Sequence, residues 1–224
     1  ESSAASDVYK RQNSERVVGK NFKILGSKPL YKWMLDKLLE IDQINKIVIN
    51  TDARKLLKEK GFKENKKILI RDRKIEIQGD YVSMNKIIED DINNIHADIF
   101  FMTHTTNPFL SKSTIEKAIR FFIDIQKDKK FDSMFSVEKM QDRFYDKTSS
   151  PVNHDPKKLE RTQDLEPLYK ENSNFYLFTK ESFLRRCNRI GDNPYMYETP
   201  KIESIDIDTP EDWGIAEQFV EALR

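Results

Sequence analysis

A single cysteine in 224 residues, Cys187, excludes an internal disulfide and leaves no cysteine-based zinc site. It is read as a buried or incidental thiol in a reducing compartment. Neither sign of charge dominates: 39 basic residues nearly cancel 38 acidic ones, although 34% of the chain is charged. That balance argues against a nucleic-acid-binding tail or a polybasic membrane segment, so no nucleic acid and no membrane is expected as partner. A small molecule or another protein remains. No apolar run approaches the ~20 residues that span a bilayer. No secretory signal pattern, internal repeat or low-complexity segment stands out. The expectation is a soluble, cytoplasmic protein whose length suits one domain with a sizeable core.

What the chain does contain alternates between short β-branched runs and amphipathic helices. Ile47-Val48-Ile49 and Ile68-Leu69-Ile70 read as buried parallel strands, the first ending in Asn50, Thr51 and Asp52. Leu30, Trp33, Met34, Leu38 and Leu39 fall at helical spacing. Ala97 to Met102 is the clearest central strand and runs into His104-Thr105-Thr106-Asn107-Pro108. Ser113 to Ile125 and Lys180 to Arg186 read as helices, Phe131 to Val137 and Asn174 to Phe178 as strands. This order predicts a three-layer, Rossmann-like α/β fold with a mostly parallel sheet. Residues 138–171 break the pattern, with Pro151, Pro156 and Pro167 among polar groups. A stretch that long without clear elements reads as a lid or a partner-contacting arm.

Near the C-terminus, Asp206 and Asp208 alternate with Ile205 and Ile207, which predicts a short strand with both acids on one face. Thr209 then caps a helix, Pro210 opens it, and Glu211 and Asp212 fill its first turn. Two oxygen ligands on one face suit a hard cation such as Mg²⁺, which points to a phosphate-bearing substrate. A bare Asp-x-Asp equally suits a solvated edge strand. At the other end, Ser14, Arg16, Gly19, Lys20 and Asn21 form a polar, basic loop able to approach an anion, although a plain surface loop has the same composition.

Residues 1–12 read as a non-native leader, because Ser2 to Gln12 matches a translated transposase-type sequencing adapter. On that reading native sequence starts at Asn13, the single nucleotidyltransferase domain covers 13–224, and the first strand of the sheet is missing.

Taken together, the motifs resemble the acylneuraminate (CMP-sialic acid) cytidylyltransferases and relatives that activate other acidic ulosonic sugars. Asn13-Ser14-Glu15-Arg16 with Gly19-Lys20-Asn21 is similar to that family's phosphate-binding signature. Ser27 to Leu30, Ile49 to Asp52, His104 to Pro108, Arg161 to Leu165, Asn172 to Tyr176 and Ser204 to Trp213 follow in the family's order. The resemblance implies transfer of CMP from CTP to an acidic, sialic-acid-like ulosonic sugar, with release of pyrophosphate. It implies Lys20, Arg16 and Asp208 as catalytic residues, with Asp206 and Asp208 holding Mg²⁺. Ser14, Asn21, Arg71, Asp80 and Ser83 would line the nucleotide pocket, and His104, Gln163 and Lys170 would face the sugar. A homodimer whose 138–171 arm reaches the partner is also implied. Lys170 stands in place of an arginine, Ser173 of a glycine and His104 of a glutamine, all on the sugar side, so the sugar need not be N-acetylneuraminate. Two other readings are a metal-dependent glycosyltransferase, which would have no use for the Arg16/Lys20 loop, and a non-catalytic nucleotide-binding remnant.

Overall fold

The computed structural model describes the backbone of residues 4–9, and residues 19–79 and 81–222. The chain runs β1 (Ala4–Tyr9), a small hairpin of β2 (Ile24–Leu25) and β3 (Lys28–Pro29), α1 (Leu30–Leu39), β4 (Ile44–Thr51), α2 (Arg54–Glu59), β5 (Ile68–Asp72) and α3 (Met84–Asn94). It continues through β6 (Ile99–His104), α4 (Lys112–Lys127), β7 (Ser133–Met140), β8 (Leu168–Thr179), α5 (Lys180–Arg186), β9 (Pro194–Glu198) and α6 (Pro210–Ala222). Seven strands form one sheet in the order β5-β4-β1-β6-β8-β7-β9. β1, β4, β5 and β6 are mutually parallel, as is β7 to β9, while β8 runs antiparallel to both its neighbours.

The alternation of side chains along β6 explains the layers. Ile99 and Phe101 point into a core shared with α1 and α4, and Phe100 and Met102 into one shared with α3 and α5. A strand covered on both faces is apolar at every position rather than every second one. That is how Ile99 to Met102 reads. A third cluster joins the hairpin to α6: Leu25 and Leu30 pack against Ile207, Trp213, Ala216 and Val220. Gly26 sits in that contact with φ of 64°, and a Cβ there would lie 2.5 Å from Val220 Cγ1, so only glycine fits.

Two expectations need correction. The first strand is not missing: Ala4–Tyr9 occupies the centre of the sheet between β4 and β6. Main-chain pairing supplies that slot, and pairing makes little demand on residue type. Ile205 to Asp208 is not a strand of the sheet. It is extended backbone after a turn of 3₁₀ helix at Lys201–Ser204, tied to the sheet side by Ile207 N–H donating to the Thr106 carbonyl at 2.9 Å. Of the two readings of Cys187, buried or incidental, the first does not hold: it is exposed and ends α5 in a left-handed conformation.

The arm is partly regular. β7 and β8 extend past the sheet as a two-stranded ribbon, pairing Val137 with Glu171 through Met140 with Leu168. Residues 141–167 form its tip, with a bridge between Tyr145 and Pro151. Among the described residues, no helix is long and apolar enough to cross a membrane.

Phe101 is fully buried and stacks on Phe175 with ring centroids 5.5 Å apart, joining β6 to β8. Phe101→Ala should cost about 3–5 kcal/mol in urea denaturation, because it removes a large side chain from a site that cannot collapse.

Candidate active site

Two chain segments distant in sequence meet at one lysine. Gly19, in a left-handed conformation at φ of 62°, turns the chain into a single 3₁₀ turn, Lys20–Phe22. The turn aims the Lys20 ammonium inward. Nζ donates to the Ile207 carbonyl at 2.6 Å and to Asp208 Oδ1 at 3.0 Å, and the residue is only 7% exposed. A buried ammonium needs such partners, since without them burial would favour the neutral amine.

Ile207 anchors the acids from below. It is fully buried under α6, so its neighbours Asp206 and Asp208 are turned the other way. The α6 N-terminus holds the segment further. Asp212 Oδ2 accepts from the Asp208 N–H at 3.0 Å, the Thr209 N–H at 2.7 Å and the Thr209 hydroxyl at 2.8 Å, and Thr209 Oγ1 accepts from the Asp212 N–H at 3.2 Å. This reciprocal cap is what Thr209 and Asp212 predict at a helix start. Burial alone would raise the Asp212 pKa, but these donors outweigh it and hold the carboxyl below its usual value.

Asp206 is in the opposite situation. Burial pushes its pKa up to about 6 against the Thr106 hydroxyl and Lys20, with Asp208 and Asp212 adding to the rise. Its Oδ1 is buried and meets no hydrogen-bond partner among the described residues. An orphaned carboxylate oxygen beside a second, half-exposed acid is able to accept a cation. Its donors are all oxygen, which fits Mg²⁺, an ion commonly bound by one or two carboxylates plus substrate phosphates. No group of three or more His, Cys, Asp or Glu among the described residues could hold a metal by itself. A cation there would draw its remaining ligands from substrate and water.

These acids open into a cavity of about 640 Å³, whose wall also includes Glu138, Lys170, Glu171 and Lys201. A buried network fixes the far wall. Asn172 Nδ2 donates to Thr199 Oγ1 at 2.6 Å and to Ser204 Oγ at 2.9 Å, and its Oδ1 accepts from the Asn174 N–H at 3.2 Å. Thr199 in turn donates to the Val137 carbonyl at 3.2 Å. The network locks β7 and β8 to the segment that carries Asp206.

Of the residues expected at the site, Lys20, Asp206 and Asp208 are brought together and Lys170 lines the same cavity. Asn21 is buried beside them, its Oδ1 accepting from the Thr105 hydroxyl at 2.6 Å. Ser83 caps α3 through the Asn85 N–H at 3.3 Å. His104 ends β6, half-buried, but is not in the cavity wall. Gln163 lies on the arm, where its carbonyl accepts from Gln141, and does not reach this chain's cavity. Ser14, Arg16 and Asp80 lie outside the described residues.

Arg71 is committed to an ion-pair network: Nη1 reaches Asp91, Nη2 reaches Asp90 Oδ2 at 2.9 Å, and Asn50 Nδ2 donates to Asp91 Oδ1 at 2.8 Å. The residue that sequence reasoning passed over is Arg73. It is 5% exposed, and its guanidinium donates to Asn50 Oδ1 at 3.1 Å and to the Asn50 carbonyl at 2.8 Å. Its backbone N–H also bonds the Thr51 carbonyl at 3.0 Å, placing it at the end of β4. The available signal was a second arginine two residues after the first, just where the strand ends.

Comparison with known proteins then decides the family. The family model described as cytidylyltransferase matches residues 8–221. This chain belongs to the cytidylyltransferase family. It is 26% identical over 224 residues to N-acylneuraminate cytidylyltransferase A of Danio rerio, covering 95% of this chain and 50% of that one. It is 27% identical over 229 residues to the CMP-N,N'-diacetyllegionaminic acid synthase of Legionella pneumophila, covering 94% and 93%. The chain thus spans about half the length of the fish relative and nearly all of the Legionella one. Among solved structures, a CMP:2-keto-3-deoxy-manno-octonic acid synthetase complexed with CTP shares the fold at a TM-score of 0.66 and 11% identity, covering 100% of both chains.

The Asp91 network gives this family member a pH signature. Burial raises the Asp91 pKa to about 6 against the Asn50 hydrogen bond and Arg71, and its Oδ2 is buried with no partner among the described residues. A carboxyl whose folded pKa lies above its unfolded value of about 4 binds its proton more tightly when folded. Its contribution to stability therefore falls as pH rises from about 4 to about 6 and is level above that. Asp91→Asn should remove this decline. Urea denaturation at pH 5 and pH 7 checks it, and a decline of equal size in the variant would assign the effect elsewhere.

Proposed function

We propose that this chain transfers CMP from CTP to the anomeric hydroxyl of an acidic ulosonic sugar, releasing pyrophosphate. The observation that carries the reading is the meeting of Lys20, from the phosphate-loop segment, with the Asp206/Asp208 pair at the mouth of a cavity that also holds Lys170. The names of the relatives agree: N-acylneuraminate and N,N'-diacetyllegionaminic acid are both acidic sugars.

The protein is asked for positioning and charge neutralisation more than for covalent chemistry. The sugar oxygen attacks the α-phosphorus in line, forming one P–O bond while the bond to the β-phosphate breaks and the hydroxyl proton is released. Lys20, with Ser14 and Arg16, holds the triphosphate and stabilises the charge that develops on the departing pyrophosphate. For that, the ammonium exchanges part of its contact with Asp208 for phosphate oxygens. Mg²⁺, held by Asp206 and Asp208, would supply charge neutralisation on the phosphates and lower the pKa of the attacking hydroxyl. The family resemblance would give Asn21, Arg71, Asp80 and Ser83 to the nucleotide, and Arg73, close to Arg71 at the strand end, would join them. Lys170 gives the sugar carboxylate a point charge, without the two parallel hydrogen bonds of an arginine. His104 and Gln163 complete the sugar side, Gln163 from the arm of a second copy. A homodimer is supported by the apolar groups the tip exposes: Tyr145 at 54%, Val152 at 53% and Leu159 at 93%.

Incubation with CTP, Mg²⁺ and a panel of ulosonic acids should release pyrophosphate with at least one of them. No release with any acid would sink the reading. Asp208→Asn should lower turnover by on the order of 10³-fold or more with circular dichroism unchanged, because the amide oxygen can still accept from Lys20 but brings no charge to a cation. Retained turnover would remove Asp208 from the cation site.

A further inference from the structure

The cavity wall holds a carboxylate for which the reaction outlined above has no use. Glu138, on β7, is 9% exposed and lines the same space as Asp206 and Asp208. Among the described residues its carboxylate forms no hydrogen bond and no ion pair. Three other acids in that wall do have partners. Asp208 has Lys20 at 3.0 Å, Glu171 has the Tyr176 hydroxyl and Arg189 at 3.5 Å, and Asp212 caps α6. Lys170 lies directly opposite Glu138 in the β7/β8 ladder, a placement that puts facing side chains about 5 Å apart at Cβ. Even so, the two do not pair, and both remain available to the cavity.

Its side chain is packed into the wall while its carboxylate oxygens open onto the cavity, so an acceptor stands ready there for a donor on a bound molecule. We propose that Glu138 is a specificity-determining residue that accepts a hydrogen bond from a ring substituent of the sugar, an N–H or hydroxyl donor. This rests on the proposed reaction. The substrate's own carboxylate is repelled by Glu138 and drawn to Lys170, so the two facing residues read opposite features of the sugar. Reversing the sugar would set carboxylate against carboxylate and leave its donor against an ammonium, which cannot accept. The Glu138–Lys170 pair therefore sets the direction in which an acidic sugar enters, and so which oxygen faces the phosphate.

Initial rates of pyrophosphate release are measured for the full chain and for Glu138→Gln and Glu138→Ala, using the ulosonic acid that the wild type turns over fastest. Both variants should raise the KM for the acid about 10- to 100-fold, the loss of a hydrogen bond to a charged group. The KM for CTP should stay within about twofold, and the Tm should be unchanged, because the carboxylate opens onto the cavity and bonds nothing in the free protein. Unchanged KM for the acid in both variants overturns the inference. So does a joint rise in both KM values with a lowered Tm, which would mark Glu138 as structural. Calorimetric titration of the same acid reads the contact without turnover. A wild type that binds the acid more tightly than both variants but releases no pyrophosphate would defeat the proposed reaction and leave Glu138 as a sugar contact. Equal binding by all three proteins would defeat the Glu138 inference alone.

Discussion

The buried ammonium of Lys20 is the constraint on which the site depends. It binds the carbonyl of Ile207 and the carboxylate of Asp208, across 187 positions of sequence. An ammonium that is 7% exposed cannot be left without acceptors, so the turn carrying it and the extended segment carrying the acids must arrive together. Each arrival has its own apolar support. The hairpin of Leu25 and Leu30 packs on α6, and Ile207 sits between them, so one hydrophobic cluster positions both ends of the polar contact. The same contact balances charge, because Lys20 is the cation facing two acids that would otherwise repel one another in a partly desolvated space.

The acids in and around this cavity differ by what surrounds each carboxylate. Asp212 is surrounded by donors and stays ionised as a structural cap. Asp206 is buried with an orphaned oxygen, and burial lifts its pKa to about 6. Glu138 has no partner among the described residues and shares the wall with Lys170. The fold thus caps one acid thoroughly and leaves two others with open acceptor capacity at the same cavity.

Much of the fold was legible in local pattern. The helices at 112–127, 180–186 and 210–222 follow from apolar spacing, and the last also from Thr209 as its cap. Ile99 to Met102 declared itself by being apolar at every position, the mark of a strand with a helix layer on each face. The Asp-x-Asp stretch was legible as alternation, since Ile207 is buried and the acids face away, yet it is not a strand. Alternation reports which face is apolar and does not report whether a neighbouring strand exists to pair with. Residues 4–9 gave no pattern and still form the central strand, because backbone pairing between β4 and β6 needs little from side chains.

By itself the sequence determined the elements, their alternation, and the identity of the groups available: one lysine after a glycine turn, two acids flanking an isoleucine, and a lysine where a planar guanidinium would grip more firmly. Those depend on local propensity and on the chemistry of single side chains. Only the tertiary structure decided which groups meet. It joined Lys20 to Asp208, committed Arg71 to Asp90 and Asp91 while bringing Arg73 to the end of β4, kept Gln163 on the arm, and left Glu138 facing the cavity unpaired. Such pairings are set by strand order, by burial and by the need of each buried charge for a partner, and these act across the chain rather than along it.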